Sequence, residues 1–167
     1  MRLPGALLSV LILGVSGIGT GLTALNLSGA QAPDFVLKSI SGENIRLSEY
    51  RGQVVVLSFW AKWCGDCRAQ LAGLNEMYSL YKEAGFEVIA VSMDRDIDDA
   101  RETAEALEVS FPVLFDEGRE VSQLYDISSM PIILLIDREG VVREVIEGYR
   151  RGTEDEYLDR VRTLLRE

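Results

Sequence analysis

The chain has 167 residues, enough for one domain with a short extension, and 47% of them are hydrophobic, which is sufficient for a full core. Its net charge of −10 argues against binding of nucleic acid and against adsorption to anionic lipid, because both require a basic surface. The absence of histidine excludes imidazole-activated nucleophiles, His-ligated metals and an imidazole proton shuttle.

The first predicted element is an apolar segment at the N-terminus. No charged residue lies between Arg2 and Asp34, and Leu3 to Leu25 is long enough to cross a bilayer as a helix. Residues 1–25 are therefore predicted to be a membrane anchor. A cleaved signal segment is the alternative, with Ser28-Gly29-Ala30 as the cleavage site. In both cases Arg2 favours the cytoplasmic side, so the rest of the chain is expected to be exported.

Residues 26–33 are small and polar, and they are predicted to link the N-terminal segment to a folded domain over 34–167. The domain opens with two short alternating stretches, 35–37 and 44–47, separated by Ser41-Gly42. Alternation on both sides of a turn signal predicts a β-hairpin.

Beyond the hairpin, apolar strand segments alternate with amphipathic helical segments. The predicted strands are 54–60, 86–92, 112–116, 132–136 and 141–146, and the predicted helices are 64–84, 98–107, 120–125 and 154–165. Thr153 and Glu156 form a capping box for the last helix. This order predicts an α/β fold, in which a late hairpin makes the sheet mixed. The acidic residues within 94–106 are interpreted as a solvated helix face.

The only two cysteines, Cys64 and Cys67, follow the predicted strand 54–60 and begin the next predicted helix. A helix N-terminus stabilises a thiolate, and the spacing allows a small disulfide ring to open and close. Cys64 is the candidate nucleophile and Cys67 the resolving thiol. A structural staple is disfavoured because so short a loop constrains the unfolded chain little. Zinc is disfavoured because too few ligands are present.

Neighbouring residues are candidates for tuning and docking. Asp66 is predicted to raise the pKa of the Cys67 thiol, although a plain solvated carboxylate is the alternative. Trp63 is either an exposed docking residue or a core residue. Met130-Pro131 precedes a predicted strand, where an ordinary trans proline is expected and a cis bond is the alternative.

Taken together, these motifs make residues 31–166 resemble the thioredoxin superfamily. Within it, the chain is similar to the TlpA-like, membrane-tethered or periplasmic thiol–disulfide oxidoreductases, which include cytochrome c maturation reductases. The resemblance rests on Ala32-Pro33-Asp34-Phe35, Phe59-Trp60-Ala61-x-Trp63-Cys64-x-x-Cys67-Arg68, Phe111-Pro112-Val113, Met130-Pro131 and Ile136-Asp137-x-x-Gly140.

The resemblance implies a thioredoxin fold, with a mixed β-sheet flanked by helices and an N-terminal β-hairpin extension. It implies that Pro131 is the family's cis-proline and that Met130 and Pro131 face the two cysteines and pair with a substrate chain. It also implies that Cys64 is the exposed attacking cysteine.

The chain departs from this family pattern at several positions. Asp66 stands where many relatives have proline, and Ala72 replaces a proline that often kinks the first helix. Gln70 stands where many have a glutamate that assists proton transfer, and Ser58 stands where thioredoxin has a buried aspartate. Asp66 and Gln70 are therefore the expected site-tuning residues.

The leading prediction is an extracytoplasmic thiol–disulfide oxidoreductase that reduces protein disulfides. No flavin or nicotinamide motif is present, so no cofactor is predicted and a membrane thiol carrier is the expected electron donor. One alternative is a Cu(I)-binding protein with Cys64, Cys67 and Met130 as soft ligands. A peroxiredoxin-like peroxidase is a weaker alternative, because Ala61 stands where threonine is required.

Overall fold

The structure of the protein is a computed structural model that describes residues 27–150, 152 and 154–167. The predicted anchor or signal segment and Thr153 of the predicted capping box lie outside these residues. Among the residues described, no helix combines the length and the apolar character needed to cross a bilayer.

Seven strands and four α-helices alternate along the described chain much as predicted. The strands are β1 Val36–Lys38, β2 Asn44–Arg46, β3 Val54–Trp60, β4 Phe86–Ser92, β5 Val113–Phe115, β6 Ile132–Ile136 and β7 Val142–Glu147. The helices are α1 Cys67–Tyr81, α2 Ile97–Ala106, α3 Glu120–Leu124 and α4 Glu154–Arg166, with 3-10 turns at Leu47–Tyr50 and Lys82–Ala84.

The five-stranded sheet has the order β5-β4-β3-β6-β7, and β1 pairs with β2 as a separate antiparallel hairpin. Strands β3, β4 and β5 are parallel, whereas β6 runs antiparallel to β3 and to β7. The prediction of a mixed sheet preceded by a hairpin is confirmed.

Strand β3 is buried along its whole length, because both of its faces are covered. Its side chains alternate between two cores, as the twofold period of a strand requires. Val56 and Trp60 pack in the core that holds Leu71 of α1, whereas Val55 and Phe59 pack in the core on the opposite face. The C-terminal end of the central strand, at Trp60, therefore lies between the two cores.

Helix α1 begins three residues later than predicted, at Cys67 rather than Cys64. Residues 64–67 instead form a turn, in which the Cys67 backbone N–H donates to the Cys64 carbonyl oxygen at 3.3 Å. The Gln70 N–H then donates to the Asp66 carbonyl oxygen at 3.1 Å, which starts the helical hydrogen-bond pattern. The helical segment stops as predicted before Gly85, whose φ of 86° favours glycine.

Residues from the N-terminal part of the chain pair with the beginning of each edge strand of the sheet. Next to β7, the Gly29 N–H donates to the Val142 carbonyl oxygen at 2.7 Å, and Ala32 donates to Gly140 at 2.9 Å. Next to β5, Ile40 donates to Val113 at 2.9 Å. The described part of the segment predicted as a linker thus lies against the sheet, with Leu27 only 2% exposed.

A buried tyrosine connects residues 33–35 to the core. Tyr125 is fully buried, its hydroxyl donates to the Pro33 carbonyl oxygen at 2.6 Å, and its ring packs edge-on against Phe35. Burial raises the pKa of Tyr125 far above its usual value, so the hydroxyl stays a donor at any physiological pH.

Substitution Tyr125→Phe is expected to lower the free energy of unfolding by about 1–2 kcal/mol, because it removes one buried hydrogen bond and leaves a carbonyl unpaired. Denaturant titration measures the change. Tyr50→Phe is the control, since Tyr50 is only partly buried and contributes no hydroxyl hydrogen bond to a described residue. Equal losses in the two variants would contradict this role of the Pro33 contact.

Candidate active site

The two cysteines form a disulfide in the turn between β3 and α1. Their sulfur atoms are 2.07 Å apart, and their Cα atoms are 5.4 Å apart. Cys64 is 8% exposed, whereas Cys67 is completely buried beneath the first turn of α1. The little surface that the pair exposes therefore belongs to Cys64, which makes Cys64 the cysteine that an incoming thiol or disulfide would approach.

The loop before β6 lies beside this disulfide. The Met130-Pro131 peptide bond is cis, as the family resemblance implied. Met130 packs against the core cluster that contains both cysteines. Asp66, Met130 and Pro131 also line one cavity of about 440 Å³. The fold thus brings together residues that are 64 positions apart in the sequence.

Trp63 is 67% exposed, so it is not a core residue, and its docking role stays a prediction. It lines a second cavity of about 280 Å³ together with Met130. Trp60, three residues earlier, is completely buried. The two tryptophans that flank the motif therefore have different roles, one structural and one at the surface.

A neutral pair occupies the two positions at which the family resemblance led us to compare this chain with relatives that carry an ionisable side chain. Ser58 and Gln70 are both buried, and the Ser58 hydroxyl donates to Gln70 Oε1 at 3.1 Å. Gln70 Nε2 has no partner among the described residues. Because neither side chain ionises, protons released during turnover must leave by another route.

Sequence reasoning missed one residue of the site, Asp94, which it had assigned to a solvated face. Asp94 is only 2% exposed, and both carboxylate oxygens accept the Lys62 backbone N–H, at 3.0 and 3.1 Å. The Ser92 hydroxyl donates to the same carboxylate at 2.9 Å. Asp94 thus clamps the loop that ends at Cys64.

A sequence signal for Asp94 did exist. It lies two residues beyond β4, and β4 is the parallel neighbour of β3. Parallel strands end at the same edge of a sheet, so residues after β4 lie beside residues after β3. Burial raises the pKa of Asp94, although hydrogen bonds from Ser92 and Lys62 act in the opposite direction.

The Lys62 side chain points to the surface of α2. Its Nζ contacts Asp99 at 2.8 Å and Glu102 at 2.6 Å. Hydrogen bonds to these two carboxylates raise the pKa of Lys62. Lys62 is thus held at both ends, by its backbone through Asp94 and by its side chain through α2.

No group of three or more His, Cys, Asp or Glu side chains that could hold a metal ion occurs in the part of the chain that the structure describes. The alternative Cu(I) site would consist of the two reduced thiols of Cys64 and Cys67 and the thioether of Met130. The cysteines form a disulfide in this structure, so the site stays a prediction.

Comparison with known proteins decides the family. Residues 28–145 match the model of the AhpC/TSA family. The chain belongs to this family. Thiol-disulfide oxidoreductase ResA of Geobacillus kaustophilus is 38% identical over 120 residues, which cover 72% of this chain and 69% of the relative. ResA of Bacillus thuringiensis subsp. konkukian is 34% identical over 134 residues, covering 80% and 78%.

A solved structure described as thiol:disulfide interchange protein DsbE, from Chlorobium tepidum, superposes with a TM-score of 0.79 at 36% identity. The superposition covers 83% of this chain and 97% of that protein. The thioredoxin-like fold is therefore confirmed, and so is the resemblance to the cytochrome c maturation type of oxidoreductase. With its Cys64–Cys67 pair, this member of the AhpC/TSA family is a thiol–disulfide oxidoreductase.

Proposed function

We propose that the protein reduces disulfides of other polypeptides outside the cytoplasm. The observation that carries this proposal is the asymmetry of the pair, with Cys64 partly exposed and Cys67 completely buried. The cis-proline loop at Met130-Pro131 and the exposed Trp63 lie at the accessible side. Cys64 is thus the attacking thiol, and the protein's surface around it receives the substrate.

In the reaction, the Cys64 thiolate attacks one sulfur of the substrate disulfide, and the other substrate sulfur leaves as a thiolate that takes up a proton. Cys67 then loses its proton and attacks the Cys64 sulfur of the mixed disulfide. The second substrate thiol is released, and the Cys64–Cys67 disulfide forms. Two electrons have passed to the substrate, and an external dithiol must restore the reduced protein.

The charges around the pair support the reducing direction. Asp66 directly precedes Cys67, and the Asp94 carboxylate contacts the backbone two residues before Cys64. Negative charge disfavours a thiolate and so disfavours the dithiol form, whereas strong oxidants of this class owe their potential to a stabilised reduced form. The buried Ser58–Gln70 pair is neutral and contributes no charge of either sign.

The apolar N-terminal segment, whose one charged side chain is Arg2, supports the location. Residues 1–25 would hold the domain at the outer face of the membrane, where a membrane thiol carrier could re-reduce it. Intact-mass analysis of the purified protein distinguishes an anchor from a cleaved signal, since cleavage after Ala30 removes the first 30 residues. After the disulfide is reduced in whole cells by an impermeant phosphine, alkylation of Cys64 by an impermeant reagent would support export, and protection that is lost only when the cells are lysed would contradict export.

The reduction potential of the full-length protein tests the direction. The protein is equilibrated in detergent with glutathione or dithiothreitol buffers, and the fraction of free thiol is counted by alkylation. A value near or below about −250 mV is expected for a reductase. A value between about −120 and −180 mV would instead indicate an oxidant or isomerase. If the pair forms no reversible disulfide, the proposal fails and Cu(I) binding becomes the leading function.

A further inference from the structure

The cavity next to Trp63 contains a positively charged side chain that the reaction above does not use. We name this space, lined by Trp63, Met93, Arg119, Ile127 and Met130 together with two serines, the Arg119 cavity; its volume is about 280 Å³. It shares Met130 with the larger cavity that Asp66 and Pro131 line. A polypeptide that passes over the cis-proline loop would therefore cross it.

Arg119 is positioned by the backbone around it and not by an acidic partner. Its own backbone lies in the left-handed region, with φ of 58°, and its N–H donates to the Asp116 carbonyl oxygen at 3.0 Å. The guanidinium donates from Nη2 to the Met93 carbonyl oxygen at 2.9 Å. That contact uses one of the five N–H donors of an arginine.

Arg119 forms no ion pair with any carboxylate of the described residues, although the chain carries a net charge of −10. Asp126 lines a neighbouring cavity together with Arg119, yet the two are not paired either. By contrast, Lys62 on the far side of Trp63 contacts two carboxylates. A partly buried guanidinium in the cavity next to Trp63 thus retains donors for a carboxylate brought by a ligand.

We propose that the Arg119 cavity binds an acidic side chain of the substrate polypeptide, a few residues from the cysteine that Cys64 attacks. The guanidinium would pair with the carboxylate, while Trp63, Met93 and Ile127 would contact its aliphatic stem. Charge complementarity selects this occupant over a basic or neutral side chain. The inference rests on the proposed reduction of protein disulfides, and it makes Arg119 a specificity-determining residue of that reaction.

The test uses the reduced full-length protein and a series of short peptides with one internal disulfide. Each peptide carries Glu, Gln or Lys at one position, one to four residues from either cysteine. At one or more of these positions, kcat/KM for the Glu peptide is expected to exceed that for the Gln peptide about five- to tenfold, as for a charge-assisted pair at a partly buried site. Arg119→Met should bring the ratio close to one.

Two further variants keep the result interpretable. Arg119→Glu is expected to reverse the preference, so that the Lys peptide is reduced faster than the Glu peptide. Arg95→Met is the matched control, because Arg95 lines a different cavity with Trp63 and its removal changes the net charge equally. Circular dichroism and reduction of the Gln peptide establish that each variant is folded.

Equal rates for Glu and Gln peptides at every position would overturn the inference while leaving the proposed function intact. A preference that persists in both Arg119 variants, or that Arg95→Met removes as well, would also overturn it, since the selectivity would then come from long-range charge. A wild-type protein that reduces none of the peptides contradicts the proposed function and this inference together.

Discussion

Substitution Cys67→Ser is expected to abolish turnover and to trap the protein in a mixed disulfide with its substrate through Cys64. The reason is the difference in exposure between the two cysteines, since Cys64 has some solvent-exposed surface and Cys67 is completely buried. Without the Cys67 thiol, the bond between Cys64 and the substrate has no internal nucleophile to break it. Non-reducing electrophoresis and intact mass would show the adduct, which dithiothreitol should release.

Cys64→Ser is the matched control for this experiment, because it leaves Cys67 as the remaining cysteine. It should be equally inactive, with reduction falling to the uncatalysed rate, but it should form no adduct. Adducts of similar yield in both variants would contradict the assignment of Cys64 as the attacking residue. A Cys67→Ser protein that still turns over would contradict the two-thiol mechanism itself.

Substitution Asp94→Ala is expected to have the second largest effect, on both stability and rate. It leaves the Lys62 N–H and the Ser92 hydroxyl without their acceptor in a buried environment, which should cost about 1–3 kcal/mol of unfolding free energy. The loop that ends at Cys64 loses its clamp, and a misplacement of about 1 Å can lower a rate roughly 100-fold. Denaturant titration and kcat/KM for a neutral peptide disulfide measure the two effects.

Asp94→Asn distinguishes the effect of the hydrogen bond from that of the negative charge, because an amide oxygen can still accept the Lys62 N–H but carries no charge. This variant should keep most of the activity. Equal losses of activity in Asp94→Ala and Asp94→Asn would contradict the role of the hydrogen bond between Asp94 and the Lys62 N–H. Asp99→Asn is a further control, since Asp99 contacts Lys62 only through the exposed Nζ, and such surface pairs contribute at most about 1 kcal/mol.

The pH dependence of stability gives an independent check on Asp94. Burial raises its pKa above the value of 3.8 for an unperturbed aspartate, so the folded protein holds this proton more tightly than the unfolded chain does. The contribution of Asp94 to stability is therefore greatest below the unfolded pKa and is lost as the pH rises through the folded pKa. The Asp94→Asn protein lacks this titration. Relative to it, the wild type should lose stability as the pH rises from the unfolded pKa of 3.8 through the higher folded pKa.

The elements predicted best from the sequence are those with a strong local pattern. Strands β3 and β4 were predicted with the bounds that the structure has, because long apolar runs mark strands that are buried on both faces. The cysteine pair was equally clear, since the chain contains no other cysteine. The cis bond at Pro131 was expected only through the family resemblance; the local sequence favoured trans.

The features that could not be predicted arise from contacts between distant parts of the chain. The position of Asp94 two residues after β4 becomes a signal for its burial only once β3 and β4 are known to pair in parallel, and no local pattern encodes that pairing. The start of α1 at Cys67 depends on the turn that the disulfide and the 64–67 hydrogen bond define. The environment of Arg119 depends on Met93 and Trp63, which lie far from it in sequence.

The N-terminal residues beside β7 and β5 also affect whether the protein aggregates at high concentration. A strand edge with free N–H and C=O groups is a template for pairing with another chain. Residues 29–32 pair with the beginning of β7, and residues 39–40 pair with β5. A shortened form that starts at Asp34, the boundary predicted from the sequence, would bare the β7 edge. Such a form should self-associate into strand-paired aggregates, whereas one that retains Leu27 onward should stay monodisperse.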